Sequence, residues 1–300
     1  MDQDPLFRID GKVVAITGAA GVIYSHVSEA LAARGTHIAL LDIARVDRGD
    51  PESALAAEAT AQRIRDAGGK AIALYCDVLD CESVEAALQT IVAEFGNVDV
   101  LINGAGGNQK AATVPRDGRF IDLDPGAVGK VYDLNFGGTF IPSQVLCRHF
   151  AETGRGVIIN TSSMCAFAAL TNIPGYSAAK AAVTNFTRWM AAQVRVDLPG
   201  ARIRVNEIAP GFLVTEQNRA LLVKPDGSLT PRAESIIRGT PMGRFGEPSE
   251  LVGALILLMS NAGSFIHGAT IPIDGGFAAY SGVGPLDEKD DIFAQAKAPS

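Results

Sequence analysis

Seven stretches rich in Val, Ile and Leu, at 13–17, 37–42, 71–76, 98–103, 156–161, 202–208 and 269–273, alternate with segments of helical period. The apolar runs are continuous rather than alternating with polar residues, which is the pattern of strands covered on both faces. Helices are expected at 22–34, 53–67, 82–95, 126–151, 175–196 and 249–259. Repeated strand–helix units require right-handed crossovers, so the strands must run parallel with helices packed on both sides. The expected class is therefore α/β and doubly wound. A chain of 300 residues suffices for one large domain or two small ones. With no break in composition and no internal repeat, a single domain over 1–282 is expected, followed by a charged tail at 283–300.

Composition narrows the function. A net charge of −7 argues against nucleic acid or an anionic membrane as partner. The opening MDQDPLFRIDGK is too acidic and polar for a signal peptide, and no apolar run approaches the ~20 residues of a membrane helix. Cys76, Cys81, Cys147 and Cys165 lack the paired spacing of a metal site. His26 and His37 belong to no metal constellation, so no metal is expected. Buried thiols and a reduced, cytoplasmic setting are the plain expectation.

Two connections are unusually long: 104–125, rich in Gly, Asn and Gln, and 210–248. Both leave the carboxyl ends of strands, where ligands sit in a parallel sheet. They are the natural walls of a site, and 210–248 is a natural lid.

Chemistry concentrates at the same ends. Gly18 and Gly21 permit a tight turn after the first strand, and free N–H groups at the helix opening, around Val22 and Ile23, can face a pyrophosphate. Asp42 closes the second strand with a carboxylate that can accept both ribose hydroxyls of NAD and would repel the extra phosphate of NADP. Asp77 and Val78 close the third strand within reach of an adenine. Asn103, Gly104, Ala105 and Gly106 close the fourth with backbone able to pack flat on a cofactor.

Tyr176 and Lys180, four residues apart, share one helix face, so the ammonium can lie near the phenol. A tyrosine pKa near ~10 is too high for proton exchange at neutral pH, and a neighbouring positive charge lowers it. Ser163, thirteen positions earlier and just past a strand, can hold a carbonyl oxygen while the phenol protonates it.

Taken together, Thr17-Gly18, Asp77, NGAG at 103–106, Asn135 in DLNFGG, Ser163, Tyr176, Lys180, PGFLVT at 210–215 and DGG at 274–276 resemble the short-chain dehydrogenase/reductase family across nearly the whole chain. The resemblance implies one Rossmann-type domain with a seven-stranded parallel sheet, assembled as a homodimer or homotetramer. It implies Tyr176 as general acid/base, Ser163 as the carbonyl-orienting group, and Lys180 as the residue that lowers the tyrosine pKa and binds the nicotinamide ribose. Asn135 would hold a water linking Lys180 to solvent. Pro210, Gly211 and Thr215 would contact the nicotinamide or pyrophosphate.

The long connections narrow the resemblance. NGAGGNQKAAT, SSMCAF, LTNIPGYSAAK, APGFLVTEQNRALL, TPMGRFGEP and DGGFAAYSG are similar to the branch described as D-mannonate oxidoreductase, or fructuronate reductase. That branch would interconvert D-fructuronate and D-mannonate with NAD(H). Asn108, Gln109 and Lys110, with Glu216, Gln217, Asn218 and Arg219, supply polar groups suited to a sugar acid. Arg219, Arg244 or Lys110 could bind its carboxylate, and Met164 is a candidate for lining the pocket. Alternatives are another polyol or gluconate-type dehydrogenase acting on an open-chain ketose, and a non-catalytic NAD-binding sensor. A fatty-acyl or steroid reductase would share the catalytic set but favour an apolar pocket. Against the family pattern T-G-x-x-x-G-x-G, Val22 and Tyr24 stand where the second and third glycines usually fall, and Gly21 comes one place early. The turn is expected to shift so that Tyr24 fits beside the cofactor or the first helix.

Overall fold

The computed structural model describes residues 4–44, 55–115, 117–214 and 222–282. Its elements in chain order are β1 (Val13–Thr17), α1 (Val22–Ala32), β2 (His37–Asp42), α2 (Glu58–Asp66), β3 (Lys70–Tyr75), α3 (Cys81–Phe95), β4 (Val100–Asn103), α4 (Pro125–Tyr132), α5 (Gly138–Thr153), β5 (Arg155–Thr161), α6 (Pro174–Asp197), β6 (Arg202–Pro210), α7 (Pro231–Arg238), α8 (Val252–Met259) and β7 (Thr270–Ile273).

The seven strands form one sheet in the order β3-β2-β1-β4-β5-β6-β7, every neighbouring pair parallel. Consecutive residues of a strand enter different layers, as the continuous apolar runs require. In β1, Val14 and Ile16 pack with Tyr24, Val27 and Leu31 of α1, Ile64 of α2 and Leu255 and Leu258 of α8. Val13 and Ala15 face the other way, toward Ile91 of α3, Leu146 and Phe150 of α5 and Phe186 and Met190 of α6. The strand order reverses between β1 and β4, which opens a crevice at their carboxyl ends.

Three features depart from the sequence reading. The helix expected over 126–151 is interrupted by a π-turn at Asp133–Gly137, so α4 and α5 are separate segments. The long connection after β6 contains α7, whose Pro231 begins the helix while Thr230 Oγ1 accepts from the Ala233 N–H at 3.3 Å. Ala233 and Ile236 bury with Leu222 against Phe212, Val214 and Phe245, giving this segment a small core of its own. β6 also runs on to Pro210, two residues past its expected end, by pairing with β7. Among the described residues, no helix is long and apolar enough to cross a membrane.

Candidate active site

At the crevice the chain turns from β1 into α1 through Gly18, whose φ of +67° belongs to the left-handed region. A Cβ there would also lie 2.6 Å from the Ala105 Cα, so the position needs glycine twice over. Gly104 is equally constrained, because its Cβ would meet the Tyr24 ring and come within 2.6 Å of the Thr17 carbonyl. Thr17 is fully buried and its hydroxyl accepts from the N–H groups of Gly104 and Ala105, both at 3.1 Å. Thr17 thus shapes the floor by holding the β4 loop against β1. Gly21 is the N-cap of α1 with an ordinary φ of −67°.

Tyr24 turns inward from α1. Its ring lies beneath Gly104 in the core, and its hydroxyl is hydrogen-bonded to Thr161 Oγ1. Burial pushes the phenol up to about 12 despite that bond. The side chain that replaces the usual glycine therefore lies under the crevice floor, on the first-helix side. Tyr24→Phe leaves Thr161 without this partner, and a loss of about 1–2 kcal/mol is expected. Urea unfolding checks this; an unchanged midpoint and slope would show the hydroxyl to be dispensable.

The opening of α1 carries no side-chain cap and no acidic residue in its first turn. Its first N–H groups, at Val22, Ile23 and Tyr24, have no intrahelical partner, as in any helix. At the end of β2, the Asp42 carboxylate accepts from Ala20 N–H at 2.9 Å through one oxygen and from Ala44 N–H at 2.8 Å through the other. That fixes its plane and leaves each oxygen a further lone pair. Asp77 Oδ1 accepts from Leu79 N–H at 2.9 Å, while Val78 is buried against Gly138. Asn103 donates to Ser143 Oγ and Asn160 Oδ1, at 2.9 and 2.8 Å, and so ties β4 to α5 and β5.

The π-turn bears directly on the site. It carries Asn135, whose Nδ2 donates to the Gly107 carbonyl at 2.7 Å and the Val131 carbonyl at 2.8 Å. Its Oδ1 accepts from Gly107 N–H at 3.0 Å. The amide clamps the loop after β4 by engaging both the N–H and the carbonyl of Gly107, rather than presenting free polar atoms to solvent. A Cβ on Gly106 would clash with Asn135 Oδ1 at 2.5 Å and approach Lys180 Nζ at 3.3 Å, which places that loop, Asn135 and Lys180 together.

Ser163, Tyr176 and Lys180 also meet. Ser163 caps a short 3-10 turn at Met164–Ala166, its Oγ accepting from Cys165 N–H at 3.4 Å. Tyr176 packs against Ala112, Ala127, Val128 and Val131. Burial raises its pKa first and the neighbouring Cys165 adds to that, whereas a hydrogen bond with Ser163 opposes them. Lys180 is 3 % exposed, and burial pulls its ammonium down to about 8. Its Nζ lies 5.6 Å from the centroid of the Tyr176 ring and donates to the Thr161 carbonyl at 2.8 Å. In this arrangement Ser163 lowers the tyrosine pKa, and Lys180 approaches the ring while bonding elsewhere.

The candidate substrate residues divide. Met164 is buried beside Ser163. Asn108 is exposed and donates to Thr113 Oγ1 at 2.7 Å; Gln109 and Lys110 are also exposed and open a 3-10 turn. Arg244 does not present a free fork. Its two terminal nitrogens donate to Glu250 at 2.8 and 2.6 Å, and Glu250 also accepts from Glu247 N–H. A carboxylate ligand would have to displace that internal one, so Arg244 is corrected to a structural pair. Thr215, Glu216, Gln217, Asn218 and Arg219 lie outside the described residues, as does the tail at 283–300. Pro210 pairs with Ile273 at the end of the sheet, and a Cβ on Gly211 would lie 2.6 Å from the Asp274 Cα. Among the described residues, no three His, Cys, Asp or Glu side chains converge as metal ligands.

Sequence reasoning missed Thr161, which links Tyr24 to Lys180. Its signal was position alone, inside the NTSS stretch that ends at Ser163, with nothing in residue type to mark it.

The uncapped α1 opening, the glycine-packed floor, the paired lone pairs of Asp42 and the Lys180–Tyr176–Ser163 group fit a dinucleotide lying across the crevice. A family model described as enoyl-(acyl carrier protein) reductase matches residues 18–278. A crystal structure of a Haemophilus influenzae protein, provisionally described as a D-mannonate oxidoreductase and holding NAD, is 43 % identical, with 92 % of this chain and 98 % of that one covered and a TM-score of 0.82. The D-threitol dehydrogenase of Mycolicibacterium smegmatis is 34 % identical over 90 % of this chain and 94 % of its own length. A gluconate 5-dehydrogenase from Burkholderia cenocepacia, in complex with NADP and tartrate, is 32 % identical, with 92 % and 98 % coverage and a TM-score of 0.76.

Proposed function

The chain belongs to the short-chain dehydrogenase/reductase family and is an oxidoreductase of that family, and from this premise we propose that it interconverts a ketone and a secondary alcohol on a sugar acid with NAD(H). D-fructuronate and D-mannonate are the proposed pair. The observation that carries the reaction type is the convergence of Ser163, Tyr176 and Lys180 beside the β4 loop. The choice of pair is supported by the 43 % identity to the Haemophilus influenzae protein and by the polar residues of the long connections.

The nicotinamide would supply or accept the hydride. The first turn of α1 would hold the pyrophosphate, Asp42 the adenosine ribose, and Lys180 the nicotinamide ribose. Ser163 would orient the carbonyl oxygen and Tyr176 would pass a proton to it during reduction. Asn135 would keep the loop at Gly106 and Gly107 seated against Lys180. The segment 210–248 would close over the substrate, and the carboxylate is assigned to Arg219 or Lys110.

A homo-oligomer is proposed through α5 and α6. Tyr132, Phe136, Phe140, Phe186 and Trp189 form a run of ring contacts with centroids 5.4–6.2 Å apart, and Trp189 remains 54 % exposed. A second copy related by a two-fold axis would cover that face.

The test is NADH oxidation with D-fructuronate, D-tagaturonate, 5-keto-D-gluconate, D-fructose and an acetoacetyl thioester. D-fructuronate is expected to give the highest kcat/KM, by at least about tenfold, on the scale of one well-made polar contact. Highest activity on 5-keto-D-gluconate or D-fructose would move the assignment to a gluconate or polyol dehydrogenase. Preference for the thioester would overturn the sugar-acid reading, and no turnover of any substrate would favour a nucleotide sensor.

A further inference from the structure

Glu207 lies in the middle of β6 and is 0 % exposed, so folding has removed a carboxyl group from water inside the sheet. No ion pair within hydrogen-bond distance offsets this among the described residues. Its partners are hydroxyls: Thr270 Oγ1 of β7 donates to Oε1 at 2.6 Å, and Thr187 Oγ1 of α6 shares its one proton between the Val183 carbonyl at 2.9 Å and Oε2 at 3.2 Å. Thr184 of α6 is a third partner. Burying a carboxyl costs several kcal/mol unless its bonds are made, so a residue of this kind demands an account.

The hydroxyls lead to the proposed catalytic turn. Thr184 Oγ1 is bonded to Ser162 Oγ at 2.7 Å, and with Thr184 donating to Glu207 the one proton of Ser162 is shared between Thr184 and the backbone carbonyl of Lys180, 3.1 Å away. On the other side, Thr187 Oγ1 accepts from Asn160 Nδ2 at 2.8 Å, and Asn160 Oδ1 accepts from Asn103 at the head of the β4 loop. One buried acid thus connects β7, β6, α6, β5 and β4 beneath the site.

We propose that Glu207 is a positioning residue for Lys180, fixing the turn of α6 that carries it and placing negative charge beneath its ammonium. Lys180 is otherwise faced by Tyr176 on its own helix, by Cys165 after β5 and, through Thr161, by Tyr24 on α1. Of these only a thiolate or phenolate would carry charge, and burial raises both phenols. Against the burial that disfavours the charged form of Lys180, Cys165 acts first and Glu207 second, and Glu207 is the carboxylate of the two. Burial acts most strongly on Glu207 and raises its pKa; the bonds from Thr270, Thr184 and Thr187, and then Arg188 on α6, favour its charged form against that burial.

The role in turnover rests on the oxidoreductase reading, but the effect on Lys180 is a property of the bare protein and is tested there. The probe is an NMR titration of the protein carrying [13C]lysine, with the Lys180 signal assigned by its loss in Lys180→Arg. Wild type should titrate near 8. In Glu207→Gln the midpoint should fall by about 0.5–1 unit, about a three- to tenfold fall in the ratio of protonated to neutral Lys180 at a given pH. Glu207→Asp, which retains the charge, should recover at least half of that shift. Should Glu207→Gln fail to fold, Thr270→Val removes the 2.6 Å donor, raises the acid's own pKa and moves Lys180 the same way by less. A Lys180 midpoint within about 0.2 unit of wild type in whichever of these folds would overturn the proposal. Failure of all substrates in the NADH assay would leave that titration unaffected, so the two readings fail separately.

Discussion

Tyr176→Phe is expected to lower kcat for ketone reduction by at least about a thousandfold, within the range of general acid catalysis, while NADH affinity stays within about twofold. The substitution removes one oxygen and keeps the ring, whose packing on Ala112, Ala127, Val128 and Val131 holds it in place. The fold and the crevice floor should therefore survive. What is lost is the group hydrogen-bonded to Ser163 and approached by Lys180. Among the described residues, the other buried phenol, Tyr24, is not placed to substitute, because it lies under Gly104 and is committed to Thr161. Stopped-flow reduction with the best substrate of the panel, alongside NADH fluorescence titration, measures both quantities. Activity above a few per cent of wild type would remove Tyr176 from the acid role. A parallel collapse of NADH binding would mean that the ring, and not its proton, is what matters.

The second large effect is cofactor choice. Wild type is expected to use NADH at least about a hundredfold more efficiently than NADPH, and Asp42→Asn should reduce that ratio below about tenfold. At 4 Å and an effective dielectric near 20, one pair of like charges costs about 4 kcal/mol, and salt at a surface site reduces this considerably. A residual 2–3 kcal/mol is still on the order of a hundredfold. The carboxylate cannot swing away cheaply, since both oxygens are held by the N–H groups of Ala20 and Ala44. Asparagine keeps one of those acceptors and removes the charge, so the β2 loop should remain in place. Arg45 and Arg48 follow in sequence and are retained in the variant. Equal kcat/KM for the two cofactors in wild type would contradict the assignment of Asp42 to the ribose.

Much of the site was legible because its determinants are local. Tyr176 and Lys180 lie one helical turn apart, and any helix there puts them on one face. Asp42 ends the apolar run of β2 and Asp77 comes just after that of β3, and the carboxyl ends of parallel strands are where a crevice forms. Gly18 announced a turn whose φ no other residue adopts easily. Arg244 misled for the opposite reason: as a fork of donors in a long connection it suited a ligand, but Glu250 six residues on meets it first. The π-turn at Asp133–Gly137 left no trace in periodicity, because one inserted residue barely disturbs a helical pattern read over 26 positions.

By itself the sequence determined the alternation of strand and helix, the parallel sheet and the groups capable of proton transfer, since those follow from period, burial and residue type. Only the tertiary structure decided where the odd residues went. Tyr24 replaces a glycine without filling the crevice because Gly104, in the loop after β4, leaves its ring a slot beneath the floor. Glu207 reads as one of several polar residues in β6, yet threonines from α6 and β7 make it a buried acid under Lys180. Both depend on partners far away in the chain, and contacts at that range carry no period that a linear reading can detect.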